Sequence, residues 1–249
     1  MYLFDFGSEA LKIFKKSPHV GDIVFMNDTE KVDRFFEMLQ KEIRERTDIL
    51  SDYGGDYNLY IKTSGNKMPM LIVIINNYEA FSENYEDKYD DIFLMLTREG
   101  TKCGIVFIIT TSACNDVRYR LAQNFRQKIA LQLNNEDDYF NIFDGIGKKR
   151  PSNIFGRGLV RLEDIYEFQT AKICEPEKWN LTIKNKIDEL NKIYKIKAKH
   201  IPTLPDKVEI NDIKDYLKDL TAVPIGISKK NLDVYTYNFK KSFVNIITS

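Results

Sequence analysis

Residues 70–77 read MLIVIINN and residues 104–112 read GIVFIITTS. Each is an unbroken apolar run that ends in polar residues, the pattern of a strand buried on both faces in a parallel sheet. Working outward, Tyr2 to Phe6 reads as a short buried strand that reaches Asp5 at its end. A Gly7-Ser8 turn follows, then a helical stretch with Leu11 and Phe14 on one face. A second strand covers Ile23 to Met26. Asn27 and Asp28 then open a helix whose Val32, Phe35, Phe36, Leu39 and Ile43 recur at helical spacing. Ser51 to Tyr60, with Gly54-Gly55, reads as a turn.

Between and after the two apolar runs the alternation continues. Asp87 to Arg98 and Val117 to Asn124 are helical, and Ile129 to Leu133 is expected to extend the repeated βα pattern into a doubly wound, mostly parallel sheet. Gly145 to Gly158 is loop-like and leads into strands at Leu159 to Leu162 and Tyr166 to Ala171. Beyond Cys174 the character changes to a charged helix at 179–196, a Pro-containing stretch at 201–205 and a short helix at 210–217. Strand-like segments at 232–237 and 243–247 end the chain. The division read from this is a module over 1–172, a helical linker over 173–205 and a lead-in segment over 206–249.

Composition narrows the function classes. With 249 residues and 43% hydrophobic content the chain can bury a substantial core. Thirty-seven basic and thirty-seven acidic side chains cancel, which removes the electrostatic footprint of a dedicated nucleic-acid binder. Three cysteines, none in a CxxC pair, and two histidines do not make a zinc cage, and they fit reduced thiols. No stretch reaches the ~18 apolar residues of a membrane span, so no membrane contact is expected of this segment.

P-loop ATPases place GxxxxGK[ST] after a first strand and an acid for Mg²⁺ at the end of a later apolar strand. Nowhere does GxxxxGK[ST] occur in these residues, and the later strand ends in Asn76-Asn77 instead of an acid. A neutral amide is a poorer partner for Mg²⁺ than a carboxylate. Thr110 and Thr111 stand where a polar sensor meets the γ-phosphate, although many strands simply end in polar residues. Asp5 suits the ligand-binding edge of an open α/β sheet, and equally the cap of the helix that follows. Glu79 could restore the missing charge or merely favour a helix N-terminus. His19 sits in a turn entering a strand, which suits a structural residue better than a catalyst. Arg98, Arg118, Arg120, Arg126 and Arg157 are candidates for an arginine finger or for ordinary ion pairs.

DFGSEALKIFKKSPHVGDIVF (5–25), LIVIINNYEAF (71–81), LTREGTKCGIVFIITTSA (96–113) and GRGLVRL (156–162), in that order, resemble the FtsK/SpoIIIE-type ATPases, specifically the EssC/EccC ATPases of type VII secretion. The likeness covers about residues 1–172. It implies a RecA-like P-loop NTPase fold lacking the phosphate-loop strand, and most resembles a middle module, in which catalytic motifs are often degenerate. The segment 224–247 is similar to the lead-in of a next module, so the chain is expected to start after one phosphate loop and stop before another.

Further expectations come from the resemblance alone. The parent would be membrane-anchored in a bacterium, with this portion cytoplasmic. It would use ATP and Mg, neither held tightly by this fragment, and it would export small helical proteins. Its partners would be neighbouring ATPase modules or subunits. Asn76 and Asn77 would form a degenerate Walker B, and Asp5, Thr110 and Thr111 would line the nucleotide. The alternative is a DNA-translocating ATPase of the same superfamily, which neutral charge disfavours. A central vacancy in the sheet, beside Leu71 to Ile75, is also expected, with Phe243 to Ile247 filling it in its own chain or a partner's.

Overall fold

A computed structural model describes residues 1–143, 145, 149–217 and 221–240. Its strands are β1 (Tyr2–Asp5), β2 (Asp22–Phe25), β3 (Leu71–Asn76), β4 (Ile105–Ile109), β5 (Ile129–Ala130), β6 (Arg157–Arg161), β7 (Ile165–Gln169), β8 (Ala222–Ile227) and β9 (Val234–Asn238). Its helices are α1 (Thr29–Ser51), α2 (Tyr57–Thr63), α3 (Tyr78–Tyr85), α4 (Asp90–Gly100), α5 (Tyr119–Ala122), α6 (Glu136–Phe143), α7 (Trp179–Ile193) and α8 (Ile210–Ile213), with a 3-10 segment over Ala10–Lys16.

The main sheet runs β2-β1-β3-β4 and every pairing in it is parallel. Asp5 lies opposite Asn76 in the β1–β3 register, so the carboxyl ends of the central strands are level. The expected vacancy beside Leu71–Ile75 does not exist, because β3 is hydrogen-bonded to β1 on one side and β4 on the other. Among the described residues β2 and β4 are the two edge strands of this sheet. Phe243 to Ile247 lies outside the described residues.

One face of the sheet carries most of the core. Helix α1 turns Val32, Phe35, Phe36, Leu39, Ile43 and Leu50 inward, all of them buried. Each such side chain contributes about 1.5–3 kcal/mol on burial, and together they outweigh the modest helix propensity of β-branched and aromatic residues. Asp28 precedes this helix without capping it, since its carboxylate accepts instead from the Phe25 backbone N–H at 3.0 Å and closes the turn after β2. Phe4, Phe6, Phe36, Phe81, Tyr85, Tyr89 and Phe93 interlock above the strands, many edge to face. The opposite face is thinner. There Leu11 and Phe14 of the 3-10 segment pack against Leu3, Val20, Ile23 and Ile74.

Residues 179–194 lean on that thin side, and the chain then passes round the edge of β2. Asn191 donates to the Lys16 carbonyl at 3.0 Å, Tyr194 meets the His19 ring edge-on, and Ile201 is buried in the main core. The backbone N–H of Ile201 donates to Asp22 at 2.6 Å, which covers the outer edge of β2.

Four local readings change. Tyr57–Thr63, expected as part of a turn, is a helix capped by Asp56, whose carboxylate accepts from the Leu59 N–H at 2.8 Å. The segment around Ile129 does not join the parallel sheet. It forms β5, antiparallel to β6, in a separate three-stranded sheet β5-β6-β7 with its own small core of Ala130, Tyr139, Phe143, Leu159 and Ile165. The region 117–124 supplies only the single-turn α5. Finally, β8 and β9 form an antiparallel hairpin.

Candidate functional site

Ligands of open α/β sheets bind outside the carboxyl ends of the strands, so the ends of β1, β3 and β4 are the place to look. Asp5 closes β1 and is only 2% exposed. One of its oxygens accepts from the Gly7 N–H and from the Asn76 side-chain amide, both at 3.2 Å. The other accepts from the Leu11 N–H at 2.9 Å. The carboxylate thus anchors the first turn of the 3-10 segment and also reaches across to β3.

Asn76 completes the crossing. Its amide N–H₂ donates to Asp5 while its carbonyl oxygen accepts from the Thr110 hydroxyl at 2.9 Å. Thr110 in turn accepts, through the same hydroxyl oxygen, from the Asn77 N–H at 3.1 Å. Its backbone is tied on both sides, donating to Ile75 and accepting from Tyr78. Asn77 adopts the left-handed conformation, φ 63° and ψ 69°, which asparagine tolerates better than most residues. From there its side chain donates to the Phe6 carbonyl at 3.2 Å.

Asp5, Asn76, Asn77 and Thr110, chosen from sequence, therefore meet in one hydrogen-bonded chain across three strand ends. Thr111 does not join it. Its hydroxyl bonds to Asp116 and to the Ala113 carbonyl within the loop after β4. Glu79 lies on the first turn of α3. Among the arginines, Arg98 pairs with Glu99, Arg118 with Asp87 and Asp90, and Arg157 with Glu167, all within this chain. Arg120 and Arg126 are exposed.

The chemistry of this donor set decides what it can hold. Mg²⁺ prefers carboxylates, waters and phosphate oxygens in octahedral geometry. At the end of β3 there is a neutral amide whose nitrogen and oxygen both have protein partners, and the neighbouring carboxylate is buried under three N–H donors. The residues present do not fit a Mg–nucleotide centre. An amide nevertheless suits this position. Only a side chain that donates on one side and accepts on the other can bridge an acceptor-only carboxylate and a hydroxyl donor. Among the described residues no group of three or more His, Cys, Asp or Glu could hold a metal ion, and no helix is long and apolar enough to cross a membrane.

A second polar hub, at the opposite edge of the sheet, escaped the sequence reading. Arg46 of α1 is 3% exposed and its guanidinium is fully engaged. It pairs with Glu42 at 2.8 Å and donates to the carbonyls of Cys103 and Pro69, each at 2.8 Å. Those two carbonyls mark the approaches to β4 and β3. The signal was present: 39, 43, 46 and 50 continue the inward stripe of α1, so Arg46 falls on the buried face despite its charged neighbours.

No protein-family model matches the chain. Among characterised proteins, the type VII secretion system protein EssC of Staphylococcus aureus (strain MRSA252) is 27% identical over 256 residues. That match takes in 98% of this chain and 17% of EssC, so the chain spans about one sixth of its relative's length. Among solved structures, EssC (ATPases 2 and 3) from Geobacillus thermodenitrificans has a TM-score of 0.85 at 22% identity, covering 96% of this chain and 47% of that one. Thermomonospora curvata EccC (ATPases 2 and 3), solved in complex with a signal sequence peptide, has a TM-score of 0.70 at 18% identity and covers 96% of this chain and 45% of its own. The fold shared with these structures is that of RecA-like FtsK/SpoIIIE-type ATPase domains.

Proposed function

We propose, starting from a chain homologous to the EssC/EccC ATPases of type VII secretion, that it is a module of a secretion motor whose nucleotide edge has become a scaffold. The observation that carries this reading is the closed chain Asp5–Asn76–Thr110. A catalytic edge keeps its acid and its polar sensor free for Mg²⁺, water and phosphate. Here the same positions are spent on one another.

In this reading the module works through contact. Neighbouring ATPase modules of the same protein bind ATP and Mg and couple them to the export of small helical proteins from the cytoplasmic side of the membrane. The present module holds a fixed shape against which they pack. The proposed division of the chain at 172 and 205 belongs to the same reading: the first part is the scaffold, and the β8–β9 hairpin leads towards a following module.

The direct test is isothermal titration calorimetry of this chain with Mg-ATP. The expected result is no heat of binding at micromolar nucleotide. A micromolar dissociation constant would overturn the proposal. Retarded migration of duplex DNA at physiological salt, with a steep salt dependence, would favour the DNA-translocase reading instead.

A further inference from the structure

Among the described residues, the connecting turn of the β8–β9 hairpin is tied to helix α1 of the main body. That turn is closed on itself. The Ser228 N–H donates to the Asp233 carbonyl and the Leu232 N–H to the Ser228 carbonyl, both at 2.8 Å, and the Lys230 N–H donates to the Ser228 hydroxyl at 3.2 Å. Asn231 and Asp233 lock the far side of the loop at 2.6 Å. Leu232 completes the turn with φ 58°, a strained value for a leucine that persists only where the surroundings over-determine it. A loop held this way presents the successive carbonyls of Lys229 and Lys230 in fixed directions.

Arg34, on the second turn of α1, takes up both. One guanidinium nitrogen donates to the Lys229 carbonyl, and the other donates to the Lys230 carbonyl at 3.1 Å and to Glu37 at 2.9 Å. Its side chain is 12% exposed, low for an arginine on an outward helix face. The planar fork of arginine suits paired acceptors, and a lysine ammonium does not reproduce it. Beside it, Lys229 and Glu30 form a second tie at 3.3 Å, but with the side chains 71% and 40% exposed it is a screened surface pair of little weight.

We infer that Arg34 is the pin by which helix α1 carries the β8–β9 hairpin, so that the hairpin follows the parallel sheet instead of moving on its connecting segment. Helix α1 is bound to the sheet along its whole length, through Phe35, Leu39 and Leu50 and through Arg46. Arg34 therefore links the hairpin turn to a helix that is itself packed on the strands. This inference does not depend on whether the carboxyl edge binds nucleotide.

Hydrogen exchange followed by mass spectrometry on the full chain tests it. In R34A, amides of 222–238 should exchange at least tenfold faster while those of 71–76 keep their wild-type protection. R34K, which preserves charge and fold, should show the same selective loss, and E30Q should leave the hairpin unchanged. Wild-type exchange of the hairpin in both R34A and R34K would overturn the inference, as would an E30Q effect equal to that of R34A.

Discussion

The two edges of the parallel sheet are built on one plan with opposite charges. At the amino edge a buried cation, Arg46, gathers two carbonyls and Glu42. At the carboxyl edge a buried anion, Asp5, gathers two backbone N–H groups and Asn76. An amino edge has only stability to serve, and saturating its hub is what stability requires. The carboxyl edge is saturated in the same way, and this is the observation on which the proposal of a scaffold rests. A buried hub with every partner in place rigidifies its surroundings, whereas removing one member leaves the rest desolvated and unpaired.

The comparison is open to attack at both ends. Arg46→Met should have the largest effect, a loss of about 3 kcal/mol in urea denaturation, because two carbonyls lose their donor and Glu42 loses its counter-ion. Asp5→Asn should cost about 2 kcal/mol by the same measurement, since its new N–H₂ group faces other donors. Equal, negligible losses in both would dissolve the symmetry.

Asn76→Asp sharpens the contrast further. It places a second carboxylate about one hydrogen-bond length from Asp5, and two such groups share a proton or recruit a cation. Two carboxylates in that buried contact repel one another, so the variant should lose about 1–2 kcal/mol of stability at neutral pH in guanidinium denaturation. A Mg²⁺-dependent recovery of stability in the variant would show that an acid at position 76 lets the edge hold a metal.

The smallest effect concerns the aromatic layer between the edges. Burial pushes the Tyr78 and Tyr89 hydroxyls up to about 12. Groups whose folded pKa is raised lend stability that is complete below about pH 10 and lost on approaching pH 12. Tyr89→Phe should flatten that alkaline limb in a thermal-melt series, and an unchanged limb would remove Tyr89 from the account.

Where the sequence was readable, the reason is local. Val32, Phe35, Phe36, Leu39 and Ile43 declare helix α1 by spacing alone, and LIVIINN and GIVFIITT declare β3 and β4 by apolar length and polar ends. Asp5, Asn76 and Thr110 were visible because strand ends in such sheets converge. Partner choice was not readable. Ile129–Ala130 looks like any short strand, and only the position of β6 makes it antiparallel. Helix α2 was missed because Tyr57–Thr63 has little apolar periodicity, and its clearest cue is the Asp56 cap. The presumed gap failed because pairing order is a property of the whole sheet. Thr111 shows the limit at the site, since its neighbour Asp116, five residues on, claims the hydroxyl.

The crossing of Asn76 between Asp5 and Thr110 also constrains how this edge could change. Placing an acid at position 76 is a single-codon event, yet it arrives opposite a carboxylate that is already buried and hydrogen-bonded. The first step is uphill unless Asp5 has moved first, and Asp5 cannot leave without releasing the turn at Gly7 and Leu11. An acid at position 76 is therefore tolerated only together with a change at position 5, and a double variant should be less destabilised than the sum of the two single ones.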